Sequence, residues 1–247
     1  MMAEYINLTA ENIDKEHLCC AISDKKHQYG VNLKKEWLKQ RIEEGHIFRK
    51  LNANGKIFIE YAPLESAWTP VKGNNFTYIY CLWVAGSHKG SGYGRELLEY
   101  AIEDSRKQGK NGVCVISSKK KKPFLSEKKF FLKYGFELVD SIGDYELLAL
   151  SFNHEVPAFC SNARSMETDS KDITIFYSPQ CPYIAHSMTQ LQEYSEESNI
   201  KIHFEKIDSL EKAKSVPCIF NNWAVFKDGK FLTNTILNKN MAKKLFE

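Results

Sequence analysis

Residues 88–95, His-Lys-Gly-Ser-Gly-Tyr-Gly-Arg, place three glycines, a serine and two cations in eight positions, and helix-forming residues follow from Glu96. A buried strand that runs through a glycine turn into a helix aims free backbone N–H groups at one point, where the helix dipole also favours an anion. A bound phosphate is therefore expected here. Two phosphate motifs do not fit. No lysine-serine or lysine-threonine pair follows the glycines, as a P-loop requires, and a dinucleotide turn starting at Gly90 would need glycine where Arg95 stands. A second reactive position is Cys181, which follows the apolar stretch Ile173–Ser178 and is expected in the first turn of a helix, where the dipole can lower a thiol pKa.

The elements that must position these residues follow from periodicity. Thr9 is expected to cap a helix over 13–20, and a second, amphipathic helix covers Leu33–Gly45. Two strands over 46–63 are joined at Asn54-Gly55, a hairpin signal. Residues 76–86, nearly all apolar and aromatic, read as a strand buried on both faces, and Leu97, Leu98, Ala101 and Ile102 carry the next helix to Gly109. A strand at 112–118, a short helix ending at Gly135 and two final strands reach Phe152. Residues 153–172 lose periodicity and gather Pro, Ser, Asn and Asp, as a linker does. A second alternating unit, 173–247, runs strand, helix, strand, short helix, a hairpin at Asp228-Gly229 and a terminal helix. The fold class is α/β, in two domains, 1–152 and 173–247.

Composition bounds the function. The chain has 247 residues, 43% hydrophobic and 26% charged, enough for two packed cores. A net charge of +3, with one basic run at Lys119–Lys122, gives no reason to expect nucleic acid. Seven scattered cysteines without CxxC spacing, and no signal-like apolar segment, lead to the expectation of a reduced, cytoplasmic protein. No metal is expected, since no HExxH or Cys/His cluster occurs, and no apolar run has the length of a membrane span.

The stretch Val84–Leu98 resembles the acyl-CoA pyrophosphate loop of the GNAT family of N-acetyltransferases, whose pattern is Arg or Gln, two residues, Gly, any residue, Gly or Ala. Here the matching positions are Lys89, Gly92 and Gly94, with lysine keeping a cation at the first. The order of elements over residues 3–152 matches the same family. The resemblance implies a mixed sheet that splays beside the loop and acetyl-CoA as cosubstrate. It places the pyrophosphate on Lys89, Gly90, Ser91, Gly92, Tyr93, Gly94 and Arg95, and pairs the backbone of Leu82, Trp83 and Val84 with the pantetheine arm as an added strand. The acceptor it implies is a small amine.

Amine acetylation needs a base and a proton for the leaving thiolate. Glu60 in Ile57–Pro63 is the base candidate, working through water, and the competing reading is a glutamate facing solvent on an edge strand. The family's usual acid, a tyrosine four residues before Gly-Phe, is replaced by Phe131, which has no proton to give. Tyr80 and Cys81 are the other acid candidates, Tyr134 reads as a packing residue, and unassisted thiolate departure is the remaining route. The lysine run reads as a solvated loop, or as one from which a lysine meets a CoA phosphate. That loop, Ile59–Pro63 and Cys81–Val84 also resemble features of an acetyltransferase subgroup carrying a YoaP-like C-terminal segment.

Cys181-Pro-Tyr-Ile, paired with Val216-Pro217, resembles glutaredoxin with Ile184 in place of the second cysteine. The resemblance implies a small thioredoxin-like domain and a cis Val216–Pro217 bond against the cysteine. Without the second thiol an internal disulfide cycle cannot run, although Cys218 or Cys160 could replace it. The alternative is an accessory lobe that shapes the acceptor site. Three functions remain open: an acetyltransferase, a CoA-binding sensor or adaptor without catalysis, and a thiol-redox protein using Cys181.

Overall fold

The computed structural model describes residues 4–21 and 24–247. Their chain divides into two compact units. One comprises Met1–Ser23, Lys35–Ala67 and Val71–Phe159, the other Asp24–Lys34, Trp68–Pro70 and Cys160–Glu247.

The first unit holds β1 (Tyr5–Asn7), the end of α1 (Gln28–Ile42), β2 (Ile47–Leu51), β3 (Ile57–Pro63), β4 (Val71–Lys72), β5 (Phe76–Val84), α2 (Tyr93–Lys107), β6 (Gly112–Ser118), α3 (Lys128–Lys133), β7 (Glu137–Ile142), β8 (Tyr145–Ser151) and β9 (Ala158–Phe159). Seven strands form one mixed sheet in the order β1-β2-β3-β5-β6-β8-β7, while β4 and β9 pair separately. Only β5 and β6 are parallel, and α2 is the crossover between them.

Alternation along β3 sorts its side chains. Ile57, Ile59 and Tyr61 join Leu97, Leu98 and Ala101 of α2 and Phe131 and Phe136 in one core cluster. Each large side chain in it contributes about 1.5–3 kcal/mol by leaving water. The helical spacing expected at Leu97, Leu98 and Ala101 is the spacing of this buried stripe. Tyr61 also donates from its phenol to Asp104 Oδ2 of α2 at 2.8 Å; burial, then that carboxylate, pushes the phenol far above its ordinary range. The opposite face of β3 carries Phe58, stacked on Phe48 of β2, and Glu60.

The expected helix over 13–20 does not form. Its place is taken by turns and a short 3-10 helix, Cys19–Ala21. Asn12 explains the difference: its Oδ1 accepts from the Thr9 N–H at 2.8 Å and its Nδ2 donates to the Asn7 carbonyl at 3.0 Å, closing a tight loop where a helix would begin. The helix expected from Leu33 starts earlier, at Gln28, and stops before Gly45, whose φ of 87° suits glycine. The hairpin expected at Asn54-Gly55 joins β2 to β3.

The second unit contains the start of α1 together with β10 (Ile173–Tyr177), α4 (Tyr183–Ser198), β11 (Ile202–Lys206), α5 (Leu210–Ser215), β12 (Trp223–Lys227), β13 (Lys230–Thr233) and α6 (Lys239–Phe246). Its sheet runs β11-β10-β12-β13, with β10 and β11 parallel and the others antiparallel. Ile173, Ile175, Trp223 and Val225 pack on Ile184 and Leu191 of α4 and Ala242 and Phe246 of α6. The β12–β13 hairpin turns at Asp228 and Gly229, with φ of 52° and 77°, the left-handed pair that matches strand twist. Ser209 and Asn238 cap α5 and α6 through Lys212 and Met241. The stretch 153–172 carries β9 and a 3-10 turn, Ser161–Arg164, with Phe159 and Ala163 buried.

Candidate active site

The sheet parts at β5. Phe76–Ile79 pair with Gly112–Val115 of β6, and the register between these strands ends there. On its other side β5 stays paired with β3 to Ile57↔Val84, while β6 continues along β8 to Ser118↔Tyr145. The second half of β5 therefore has one strand neighbour. In an antiparallel pair every second residue turns its N–H and C=O away from the partner, so the stretch Leu82–Val84 turns backbone groups toward the side that β6 has left. This half also corrects the expectation of a strand buried on both faces: Phe76–Tyr80 are buried, but Trp83 is 37% exposed because β6 has left.

A β-bulge fixes which side chains meet. Glu60 pairs with Cys81 and Tyr61 with Ile79, leaving Tyr80 as the extra residue. Without it, Leu82 and Val84 would share the face of Tyr80. With it they join Ile79 on the α2 side, and Tyr80 and Cys81 fall on the face of Glu60. The three side chains singled out for chemistry are thus brought to one region of one face.

A fourth joins them. His46 precedes β2 and, by the register Ile47↔Tyr61, lies level with Ala62, diagonal to Glu60 on the same face. Its Nε2 is 3.0 Å from Glu60 Oε1, with the two side chains 2% and 0% exposed. The Tyr80 ring lies 5.0 Å from the imidazole and the Trp37 ring 5.2 Å, edge-on. Tyr78 meets Tyr80 edge-on at 5.0 Å. Glu60 is not the solvent-facing glutamate of the competing reading, because β3 lies between β2 and β5 and the side chain is fully buried. His46 was not a candidate from sequence. The Asn54-Gly55 hairpin is the signal that could have found it, since its register sets His46 diagonal to Glu60.

About 10 Å further along β5, three strand residues beyond Cys81, the chain enters the glycine loop. A 3-10 turn, Gly86–His88, leads to Gly90 and Gly92 with φ of 80° and 87°, and α2 begins at Tyr93. A side chain at Gly90 would meet nothing within 4 Å, so conformation rather than crowding calls for glycine there. Not every amide between Lys89 and Arg95 is available: those of Lys89 and Ser91 donate to Gly86 and His88 at 3.3 and 3.4 Å. The first-turn amides of α2, at Tyr93, Gly94 and Arg95, have no intrahelical acceptor. Lys89 and Arg95 are exposed beside them.

Phe131 is buried in the core, against Phe130 and Phe136. Tyr134 packs on Phe130 with ring centroids 5.0 Å apart, as a packing residue does. In the lysine run, Lys119 donates to the Gly143 carbonyl and Lys121 and Lys122 face Glu127 and Asp144.

In the second unit Cys181 is half-buried and sits two residues ahead of α4, its carbonyl accepting from Ile184 at 3.2 Å. Cys218 is fully buried, and desolvation pushes its thiol well above the ordinary range. The expected cis Val216–Pro217 bond is trans, since the described residues contain no cis peptide. Both carbonyls of that dipeptide are held in this arrangement, Val216 by Asn162 Nδ2 at 2.8 Å and Pro217 by the Met166 N–H at 2.9 Å.

Comparison with known proteins finds two families along the chain. Residues 11–136 match the acetyltransferase (GNAT) family and residues 201–245 the YoaP-like family. The chain is 41% identical over 244 residues to the uncharacterized N-acetyltransferase YoaP of Bacillus subtilis, covering 98% of this chain and 97% of that protein. Among solved structures it is similar to the PaiA N-acetyltransferase of Thermoplasma acidophilum in complex with coenzyme A, at 18% identity and a TM-score of 0.45 over 62% of this chain and 100% of that one. It is similar also to a putative GNAT-family acetyltransferase of Desulfovibrio desulfuricans, at 16% identity and a TM-score of 0.43 over 61% and 99%.

Proposed function

The chain belongs to the acetyltransferase (GNAT) family, and from that premise we propose that it transfers the acetyl group of acetyl-CoA to a small amine, with the C-terminal domain shaping the acceptor site. The observation that carries the reading is the parting of β5 from β6 directly ahead of the glycine loop. A strand with an open edge holds an extended arm by backbone hydrogen bonds, and the first-turn amides of α2 receive the anionic end. The pyrophosphate then lies on Gly90, Gly92, Tyr93, Gly94 and Arg95, with Lys89 supplying charge. The acetyl group lies near Cys81, beside Glu60.

In this arrangement the chain's own groups do three things. Backbone pairing fixes the thioester, which converts an encounter into an oriented step. Glu60 receives the proton that the amine loses as the N–C bond forms. Tyr80 and Cys81, on the same face, are the groups that can donate to the departing thiolate, a role closed to Phe131. Calorimetric titration with acetyl-CoA, followed by a screen of amines for released CoA, tests the reading. No binding at millimolar acetyl-CoA removes it; binding without CoA release from any amine favours a sensor or adaptor.

The thioredoxin-like reading of the second unit is supported by its strand order, β11-β10-β12-β13, and by Cys181 ahead of α4. A thiol-redox role gains less support. Ile184 occupies the position of a second thiol and is buried, and Cys218 is held protonated by its surroundings.

A further inference from the structure

A carboxylate near the start of a helix is drawn by the dipole to the free first-turn amides, and there it competes with any other anion for them. Glu96 is such a group. It lies in the first turn of α2, with its Oε1 3.9 Å from the point where a Cβ on Gly92 would stand, Gly92 being the residue just ahead of the helix. Its carboxylate is nevertheless engaged elsewhere: the Tyr5 hydroxyl of β1 donates to Oε2 at 2.6 Å, a bond between residues 91 apart in the chain. Tyr5 is itself held. The Arg49 guanidinium of β2 lies 5.0 Å from the Tyr5 ring centroid and 3.7 Å from that of Tyr100 on α2, and its Nη1 donates to Asn7 Oδ1 at 2.8 Å. Burial, then the Glu96 carboxylate, pushes the Tyr5 phenol above its ordinary range, so it keeps its proton near neutral pH and remains a donor.

We infer that Tyr5 is a positioning residue for the glycine loop: by occupying the Glu96 carboxylate it keeps that group off the N–H groups of Tyr93, Gly94 and Arg95, which stay available to a diphosphate. This rests on the acetyl-CoA reading above and adds to it a residue that acts through another. The bond also fastens β1 to α2, and the two duties differ in what they require of Glu96. If the bond only fastens, losing either partner harms the loop alike. If it restrains a competitor, losing the phenol weakens coenzyme binding, whereas losing the negative charge does not. A glutamine at position 96 brings no charge to the helix start, so it neither fills the anion's place with a carboxylate nor repels the diphosphate.

Calorimetric titration of the full chain with acetyl-CoA tests this on three variants. Tyr5→Phe keeps the ring beside Arg49 and removes only the hydroxyl, and it is expected to weaken binding about three- to fivefold. Glu96→Gln should bind at least as tightly as wild type. Tyr5→Phe/Glu96→Gln should bind as tightly as Glu96→Gln alone, since with the charge gone the phenol has nothing to restrain. Rescue of the first substitution by the second is the result a fastening role would not give. The inference is overturned by wild-type affinity in Tyr5→Phe, or by a loss in Glu96→Gln or in the double variant as large as that in Tyr5→Phe. If Tyr5→Phe does not fold, Glu96→Gln decides alone: weaker binding than wild type overturns the inference, and equal or tighter binding upholds it. The same series titrated with inorganic pyrophosphate separates the inference from the reading beneath it. Pyrophosphate bound in the expected order of variants, with no binding of acetyl-CoA, would remove the acetyl-transfer reading alone; binding of neither would remove both.

Discussion

The two ends of the site are built in opposite ways. In the proposed reading, the end of the site at Glu60 and His46 lies in side chains closed off from water, whereas the end between Gly90 and Arg95 lies in backbone amides at the start of a helix, with Lys89 and Arg95 exposed and Tyr93 partly packed on the core. The difference dictates what each end tolerates. The first should respond to the identity of a side chain, and the second to backbone conformation and to charge in the surrounding water. Experiments that exchange these sensitivities would erase the distinction.

The largest effect is expected where a buried partner is lost. His46→Leu leaves the Glu60 carboxyl in the core without its imidazole, and breaking a buried pair in this way costs about 3–5 kcal/mol. Replacing both, as His46→Leu/Glu60→Leu, should recover most of that stability while abolishing turnover. Urea unfolding of the two variants decides the matter. Equal losses in the single and the double variant would mean that the pair is not a unit.

Next in size is the loop. Gly90→Ala meets open space, so its cost is the left-handed backbone alone, about 1–2 kcal/mol. A loop that relaxes to avoid this strain no longer aims its amides, and acetyl-CoA affinity should fall about tenfold, equivalent to about 1.4 kcal/mol. Gly94 is the internal control. Its φ is not positive and an added Cβ would sit 3.6 Å from Phe130, an ordinary contact, so Gly94→Ala should stay within about 0.5 kcal/mol of wild type. Calorimetry that found both substitutions equally damaging would show crowding, not conformation, to be the constraint.

The same contrast accounts for what could be read from the sequence. The glycine loop, the buried stripe of α2 and the Asp228-Gly229 hairpin are local: each is specified by residues within one or two turns of chain, and each is found where spacing places it. Glu60 was legible as a carboxylate among apolar neighbours. His46 was not, because its place depends on a register between two strands and on a bulge in a third. The exposed half of β5 was missed for the same reason: burial there depends on β6 turning away some thirty residues later. Asn12 ended the expected first helix through its side-chain hydrogen bonds, and Val216-Pro217 is trans, with its carbonyls accepting from Asn162 and Met166. These are partnerships that periodicity does not record.

The dry face extends beyond Glu60, and acid should expose it. Lys50 of β2 is fully buried with its Nζ 2.7 Å from Glu16 and 3.5 Å from His17 Nδ1. Desolvation, then the Lys50 charge, depresses the proton affinity of His17. The unfolded chain therefore binds a proton at His17 more readily than the folded one. Its contribution to stability is complete above the ordinary histidine pKa of about 6.5 and is lost as pH falls through the depressed folded value. Urea midpoints measured from neutral to acid pH should fall less steeply for His17→Gln than for wild type. Parallel curves would place the acid sensitivity elsewhere.

The smallest effect belongs to the exposed cation of the loop. Lys89 is solvent-exposed at the place where the family pattern carries Arg or Gln, so in the proposed site it would act on the diphosphate only through screened attraction. An exposed charge of this kind is worth about 1 kcal/mol or less. Lys89→Ala should leave the melting temperature unchanged and weaken acetyl-CoA binding by at most about fivefold. The loss should shrink as salt is raised, because the Debye length shortens from about 10 Å at 0.1 M to about 3 Å at 1 M. Lys89→Arg should bind at least as tightly as wild type, since the guanidinium fork can grip two phosphate oxygens. Were the Lys89→Ala loss instead large and independent of salt, lysine would have to be closing over the diphosphate out of water, and the loop would resemble the buried end of the site more than its exposed geometry implies.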